Sequence, residues 1–155
     1  QSSVEISSDR LITGIAHVPR ITQLKIPTKN YKDIKGLELK IFRSMALSNI
    51  SIDFINVHPD QVIFTVRDDD AEKAEQIINN LGLEVEVLPG CAKVSAVGAN
   101  MAGVPGVMAK IVEALTEENI QILQTADSHT TIWCLVKKED MEKAVIALHR
   151  KFNLS

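Results

Sequence analysis

Residues 36–81 of this chain read GLELKIFRSMALSNISIDFINVHPDQVIFTVRDDDAEKAEQIINNL, and residues 106–151 read GVMAKIVEALTEENIQILQTADSHTTIWCLVKKEDMEKAVIALHRK. When the second stretch is aligned with the first at an offset of 70 residues, 11 of the 46 pairs are identical and no gap is needed. This period is longer than that of a solenoid repeat. Each copy is therefore predicted to be a small domain of its own.

Each copy begins with apolar residues at helical spacing, such as Leu37, Ile41 and Met45 in the first. These helices are expected to end near Asn49 and Asn119, because asparagine tolerates the left-handed conformation at a helix C-terminus. Segments rich in β-branched and aromatic residues then predict short strands. The predicted strands are Ile50–Val57, Gln61–Arg67, Ile120–Ala126 and Thr131–Lys137.

A second helix follows in each copy, over Ala71–Leu81 and over Met141–Phe152, after acidic residues that suit a helix N-terminus. The strands before these helices are apolar on both faces. Ile63, Trp133 and Leu135 point away from the face that the helices would cover, so they need another cover. Small βαββαβ units often gain such cover by association, which predicts a homodimer.

The two copies differ at their ends. The first continues into Leu83–Leu88, a plausible fourth strand, whereas the second stops after its helix. A spare apolar strand, Leu11–Val18, lies near the start of the chain and is closed by Pro19. The simplest arrangement nests the first unit inside the second.

The predicted fold is therefore α+β, with two ferredoxin-like βαββαβ units whose antiparallel sheets carry helices on one face. The first domain is expected at residues 20–89. The second is expected at residues 90–155 and is completed by the N-terminal strand at 11–18.

The composition argues against several classes of function. A net charge of −3 and 4% aromatic residues argue against nucleic-acid binding. No apolar stretch is long enough for a membrane span, and the N-terminus lacks the pattern of a signal peptide, so a cytoplasmic location is expected. Cys91 and Cys134 have no CxxC spacing, which makes a zinc site improbable, and Cys134 is expected to be a buried thiol.

Several motifs carry a family resemblance. They include Gly14-Ile15-Ala16, the strand Ala92–Gly98, Val104-Pro105-Gly106-Val107, and the closing helix from Glu142 to His149. Together they resemble the C-terminal regulatory region of aspartokinases, which contains two ACT domains, one nested in the other. The resemblance covers nearly the whole chain after about residue 10.

The segment that resembles the family least is Pro27–Lys35. The run Ala126–Trp133 looks most like the diaminopimelate-sensitive aspartokinases, because lysine- or threonine-sensitive relatives usually have Ser-Glu where this chain has Ser128-His129.

The resemblance implies allosteric feedback control of aspartokinase in lysine, threonine and methionine biosynthesis. The implied effector is meso-diaminopimelate, with lysine and threonine as alternatives. A different interpretation is a free-standing ACT sensor that regulates another enzyme or a transcription factor. Fold alone does not choose between them.

Nothing in the sequence resembles the kinase domain of the family, so the chain alone is expected to be inactive and to contain no catalytic residue. ATP and Mg²⁺ are expected only in the missing kinase domain, and no cofactor or metal is expected here. The implied partners are an aspartokinase catalytic domain or subunit and a second copy of this chain. In that homodimer, the first unit of one chain meets the second unit of the other.

ACT domains usually bind ligands through an Asp-x-Pro-Gly loop before the first helix. Free backbone N–H groups at a helix N-terminus attract a carboxylate, and the aspartate attracts an ammonium. Here the motif is divided, with Asp33-Ile34-Lys35-Gly36 in the first copy and Gly103-Val104-Pro105-Gly106 in the second. The first is favoured, with Asp33, Lys35 and Gly36 as contacts. A plainer interpretation is that Asp33 is a helix N-cap and the glycines form turns.

Two further groups follow from the resemblance. Asn119 and Ile120 match positions that contact a ligand held by the partner chain, although Asn119 is equally explained as a helix C-cap. Asp127, Ser128 and His129 lie in a strand–strand turn, where turn-forming residues are common for structural reasons alone. The hypothesis is that this turn helps to choose the effector.

Overall fold

The structure is a computed structural model that describes residues 12–98 and 106–153. In chain order, the strands are β1 (Ile12–Pro27), β2 (Asp53–His58), β3 (Gln61–Arg67), β4 (Glu86–Gly98), β5 (Gln124–Asp127) and β6 (Thr131–Lys137). The helices are α1 (Ile34–Leu47), α2 (Asp68–Asn80), α3 (Val107–Glu117) and α4 (Met141–Lys151), the last preceded by a 3₁₀ turn at Lys138–Asp140.

The chain divides into two compact units. One is Arg20–Cys91, and the other joins residues 12–19 to the described residues from Ala92 onward. Each unit combines helices with antiparallel strands, and the predicted α+β class of nested ferredoxin-like units is confirmed.

The unit Arg20–Cys91 has the strand order β2-β3-β1-β4, as expected for a βαββαβ fold. Strand β3 pairs antiparallel with both β1 and β2. The core of this unit contains residues from both strands and helices, among them Leu24, Ile41, Phe64 and Ile78, each fully buried. The alternate residues of β1 and β3 therefore lie under α1 and α2.

The other unit has the order β1-β4-β6-β5, the same pattern in its own strands. Ile12, near the start of the described chain, is 2% exposed and shares a core with Val94, Ile111 and Cys134. A hydrogen bond from Thr13 Oγ1 to the Val97 carbonyl (3.2 Å) also joins β1 to β4. The N-terminal strand thus completes this unit.

Two strands run further than the sequence indicates. The prediction that Pro19 closes the first strand is wrong, because β1 continues through Pro19 to Pro27. Likewise β4 begins at Glu86 and continues through Pro89 to Gly98. Each strand has one left-handed residue next to its proline, Arg20 (φ 65°) or Gly90 (φ 70°). Such local irregularity accommodates a proline without ending the strand.

The helix ends follow the sequence prediction. Asn49 has φ 59°, and its N–H donates to the Ala46 carbonyl at 3.0 Å, while the Ile50 N–H donates to the Met45 carbonyl at 3.0 Å. This pair of bonds is the Schellman motif, which satisfies carbonyls left free at the end of a helix. The same motif ends α3 at Asn119.

This motif also explains why two strands begin later than predicted. The N–H groups of Ile50 and Ile120 are bonded back to their helices, and both side chains are buried in the cores. Neither N–H group is free to begin a strand ladder, and the strands begin further along, β2 at Asp53 and β5 at Gln124.

Two of the three apolar side chains predicted to point away from the helices are already buried in a single chain. Ile63 is 7% exposed and Leu135 is fully buried, while Trp133 is half-buried. The argument that Ile63 and Leu135 need a partner chain is therefore wrong. Exposed apolar side chains lie elsewhere, for example Leu47, Ile55 and Ile146.

Candidate functional site

Asp33 is the N-cap of α1. Its Oδ1 accepts a hydrogen bond from the Gly36 N–H at 3.0 Å, and its own carbonyl accepts one from the Leu37 N–H at 3.1 Å. The side chain is exposed. One carboxylate oxygen therefore serves the helix, as the plainer interpretation of Asp33 requires.

Gly36 is fixed by this cap. A Cβ at position 36 would lie 2.3 Å from Asp33 Oδ2, so a side chain there would displace the carboxylate. Lys35, one residue earlier in the first turn of α1, is exposed. The structure thus brings Asp33, Lys35 and Gly36 together at one helix N-terminus, where free backbone N–H groups and a cation favour a negatively charged ligand group.

Asn119 and Ile120 lie at the C-terminal end of α3. Asn119 (φ 58°) is exposed, and its N–H donates to the Thr116 carbonyl at 3.0 Å. Ile120 is 4% exposed, with its side chain in the core. The helix cap bonds the N–H groups of both residues. Of the two, only Asn119 exposes its side chain to solvent.

Asp127, Ser128 and His129 lie together at the end of β5 and in the turn to β6, and all three are exposed. The Ser128 N–H donates to the Thr131 carbonyl at 2.8 Å, and the Thr130 N–H donates to Ser128 Oγ at 3.4 Å. Ser128 therefore holds the turn in shape, and His129 is left at its tip.

This turn lies at one end of its unit. The Gly98 N–H, at the end of β4, donates to the Thr130 carbonyl at 2.8 Å. Gly103 and Pro105, from the second copy of the divided loop motif, lie outside the described residues. Helix α3 has 11 residues and is therefore about 16 Å long. Because Asn119 lies at its far end, this unit does not bring Asn119 together with His129.

One site escaped the sequence analysis. A cavity of about 480 Å³ lies at the loop end of the unit Arg20–Cys91, between the β1–α1 connection and the α2–β4 connection. Its lining residues are Pro27, Lys29, Asn30, Tyr31, Gly82 and Glu84. The available signal was that Pro27–Lys35 is the segment with the weakest family resemblance.

The cysteines take no part in these sites. Cys134 is fully buried, as predicted, and burial raises the pKa of its thiol to about 12. A thiol with so high a pKa stays protonated and unreactive at neutral pH. Within residues 12–98 and 106–153, no group of three or more His, Cys, Asp or Glu side chains is placed to hold a metal ion.

Comparison with known proteins places the chain in a family. A family model described as an ACT domain matches residues 86–150. The regulatory subunit of aspartate kinase from Thermus thermophilus is 30% identical, with a TM-score of 0.82, over 92% of this chain and 99% of that subunit. This chain belongs to the ACT-domain regulatory regions of the aspartokinases.

Two further relatives of this aspartokinase regulatory region are longer proteins. Aspartokinase 1 of Bacillus subtilis is 49% identical over 156 residues, which cover 99% of this chain and 38% of that protein. Aspartate kinase of Clostridium acetobutylicum, described as an allosteric enzyme, is 28% identical with a TM-score of 0.82, over 92% of this chain and 35% of that one. The chain thus spans less than two fifths of these two aspartokinases. Among its described residues, no helix is long and apolar enough to cross a membrane.

Proposed function

We propose that this region binds an end-product amino acid, meso-diaminopimelate, and thereby exerts allosteric feedback control on aspartokinase, the aspartate 4-phosphotransferase of lysine, threonine and methionine biosynthesis. The observation that carries the proposal is the match, over both units, to a protein described as a regulatory subunit of aspartate kinase. The Clostridium aspartate kinase is described as an allosteric enzyme, which also supports a role in allosteric control.

The first contact is at the start of α1. The N-terminal N–H groups and Lys35 would bind the carboxylate of an amino-acid head, since both carry positive charge. Asp33 Oδ1 accepts from Gly36, which leaves Oδ2 available to an ammonium group. Asp33, Lys35 and Gly36 are therefore the proposed contacts in this unit.

The second set of proposed contacts is the β5–β6 turn, which a partner chain would contribute in the predicted homodimer. Diaminopimelate differs from lysine by a second carboxylate at its far end. His129 is exposed and can donate a hydrogen bond to that carboxylate, more strongly when protonated, while Asp127 would hold the second ammonium. Ser128 fixes the turn. Asn119 would face a ligand held by a partner chain with its exposed side chain, whereas Ile120, whose side chain is buried, would do so only through its backbone carbonyl.

In this proposal, the chain regulates an aspartokinase catalytic part. It has no kinase activity of its own. ATP and Mg²⁺ would be bound by that catalytic part. The name of the Thermus relative, a regulatory subunit, supports such an arrangement.

The effector assignment is tested by His129→Glu. A glutamate at this position would repel the second carboxylate of diaminopimelate and attract the terminal ammonium of lysine. Affinity for diaminopimelate is expected to fall by roughly 5- to 150-fold relative to lysine, the range of a coupling of about 1–3 kcal/mol. Calorimetric titration of both ligands into wild type and variant measures the ratio.

The matched control is His58→Glu, the same substitution at the exposed end of β2, next to the β2–β3 turn of the other unit. It is expected to leave both affinities unchanged. If the wild type does not bind diaminopimelate, or if His129→Glu binds both ligands as the wild type does, the effector assignment is wrong.

A further inference from the structure

The unit that contains α3 and α4 has a shallow apolar groove on its surface. The groove has a volume of about 250 Å³ and lies between the N-terminal part of β1 and the first half of α4. It is lined by the apolar side chains of Met141, Val145 and Ile146 and by the polar residues His17 and Glu142. All five residues belong to this one unit, and none of them is a proposed contact of the effector.

Ile146 is the most exposed apolar side chain of this groove. It is 51% exposed, whereas Met141 and Val145 beside it are half-buried and pack against the core of the unit. Burial within the unit therefore accounts for Met141 and Val145 but not for Ile146. Adjoining apolar side chains with a polar border, left at the surface, are typical of contact with another protein surface.

The other copy of the repeat shows that the fold does not require this apolar surface. At the offset of 70 residues, Val145 and Ile146 of α4 correspond to Glu75 and Gln76 of α2. Glu75 is half-buried and Gln76 is exposed, so α2 has a polar surface where α4 has an apolar one. Because the two helices occupy the same place in two units of the same kind, the apolar residues of α4 indicate a contact that only this unit makes.

The path of the chain indicates which partner lies nearest to the groove. Both ends of the described chain, Ile12 and Asn153, belong to the unit with the groove, because the unit Arg20–Cys91 is nested within it. His17 lies about 17 Å from Ile12 along β1, and Ile146 lies in the last helix. Any further part of a longer aspartokinase chain is therefore joined to this unit, at whichever end it follows.

The aspartokinase relatives have such a further part. This chain spans 38% of Aspartokinase 1 of Bacillus subtilis and 35% of the Clostridium aspartate kinase, so most of each of those chains lies outside the matched region. A part joined to the same chain has a high effective concentration at nearby surfaces, so that even a small contact is occupied. The catalytic part is therefore the partner that the position of the groove favours.

We propose that this groove is a docking surface for the catalytic part of the aspartokinase. Val145 and Ile146 contact an apolar side chain of that part, and His17 and Glu142 lie at the polar border of the contact. The proposal rests on the proposed function in one respect, since it requires a catalytic part that this region regulates. It does not depend on the identity of the effector.

Photochemical cross-linking identifies what covers the groove. In the whole aspartokinase, with this region and its catalytic part, Ile146 is replaced by the photoreactive amino acid p-benzoylphenylalanine, and cross-linked peptides are identified by mass spectrometry. We expect cross-links to peptides of the catalytic part. The control is the same replacement at Val112, which is 39% exposed on α3 of the same unit and does not line the groove. We expect no cross-link to the catalytic part from this position.

A substitution tests whether the contact carries the regulation. Ile146→Glu would bury an unpaired charge in the docked contact, which is costly, but it leaves an exposed residue exposed in the free region, so the variant is expected to fold. Each protein is compared with its own uninhibited rate at saturating amino acid. We expect Ile146→Glu to lose most of the inhibition while calorimetry still detects the bound amino acid. Val112→Glu is the control and is expected to remain inhibited.

The docking proposal is overturned if position 146 forms cross-links only to a second copy of this region, or to no protein at all. It is also overturned if Ile146→Glu is inhibited as strongly as Val112→Glu. Failure of the proposed function gives a different result. If no amino acid inhibits the wild type, the regulatory proposal is wrong, whereas cross-links from position 146 to the catalytic part would still establish the docking surface.

Discussion

At the residue scale, the contact between Asp33 and Gly36 decides how the first helix begins. Removing the cap with Asp33→Ala is expected to cost about 1 kcal/mol of unfolding free energy, whereas Asp33→Asn retains most of it, because asparagine is an equally good N-cap. Urea denaturation of the three proteins measures the difference. Equal stability of Asp33→Ala and wild type would mean that the carboxylate does not hold the helix.

A sequence supports those predictions that rest on the conformational preference of a single residue. The left-handed ends at Asn49 and Asn119 are confirmed, because that preference belongs to asparagine itself. The role of Ile50 was missed, since its bond back to Met45 depends on the whole motif. The cavity was missed for a similar reason. Tyr31 and Gly82 are 51 positions apart, and only folding brings them together.

At the element scale, the N-terminal part of β1 belongs to the unit that contains α3 and α4. Ile12→Ala is expected to cost about 2–5 kcal/mol, because Ile12 is buried in that core. Val18→Ala is the control, at a side chain that is 39% exposed. In the Ile12→Ala variant, the backbone amides of β6 in this unit are expected to lose protection against hydrogen exchange. Loss mainly in β3, at Gln61–Arg67, would contradict the nesting of the units.

The two helices of that unit are joined by charge. Lys151 Nζ donates to Glu113 Oε1 and lies 3.7 Å from Glu117 Oε1. The bond from Lys151 holds the pKa of Glu113 below its usual value, and the pKa of Lys151 is raised. Because the folded pKa of Glu113 is below its unfolded value, its contribution to stability is present at neutral pH and is lost as the pH falls through the folded pKa.

We therefore expect Glu113→Gln to remove a small part of the stability at neutral pH and none in strong acid, since exposed ion pairs contribute little. Denaturation curves measured from neutral to acidic pH, at low salt, make the comparison. Glu118→Gln, a half-buried neighbour outside this pair, is the control. A difference from wild type that persists unchanged in strong acid would contradict the account.

The order of the helices and strands could be predicted because the same pattern occurs in both copies of the repeat. Gln61–Arg67 and Thr131–Lys137 are strands with the predicted bounds. The continuous strands β1 and β4 could not be predicted, because Pro19 and Pro89 usually mark a break in local sequence. Tertiary pairing along the strands overrides that local preference.

At the scale of the whole molecule, association of two chains remains a prediction. The buried Ile63 and Leu135 no longer support it, but Leu47, Ile55 and Val57 expose large apolar side chains. Sedimentation at micromolar concentration is expected to give a species of twice the 17.1 kDa chain mass. Leu47→Lys and Ile55→Lys are expected to favour the monomer. A wild-type species of 17.1 kDa alone would contradict the prediction.

Binding of a free amino acid by this aspartokinase regulatory region can be measured by thermal unfolding of the purified chain. The panel contains meso-diaminopimelate, lysine, threonine and the other standard amino acids. At a ligand concentration of about 100 times Kd, binding adds about 2.7 kcal/mol, which raises the melting temperature by several degrees. We expect such a rise with meso-diaminopimelate. A melting temperature that no amino acid in the panel changes would contradict the account.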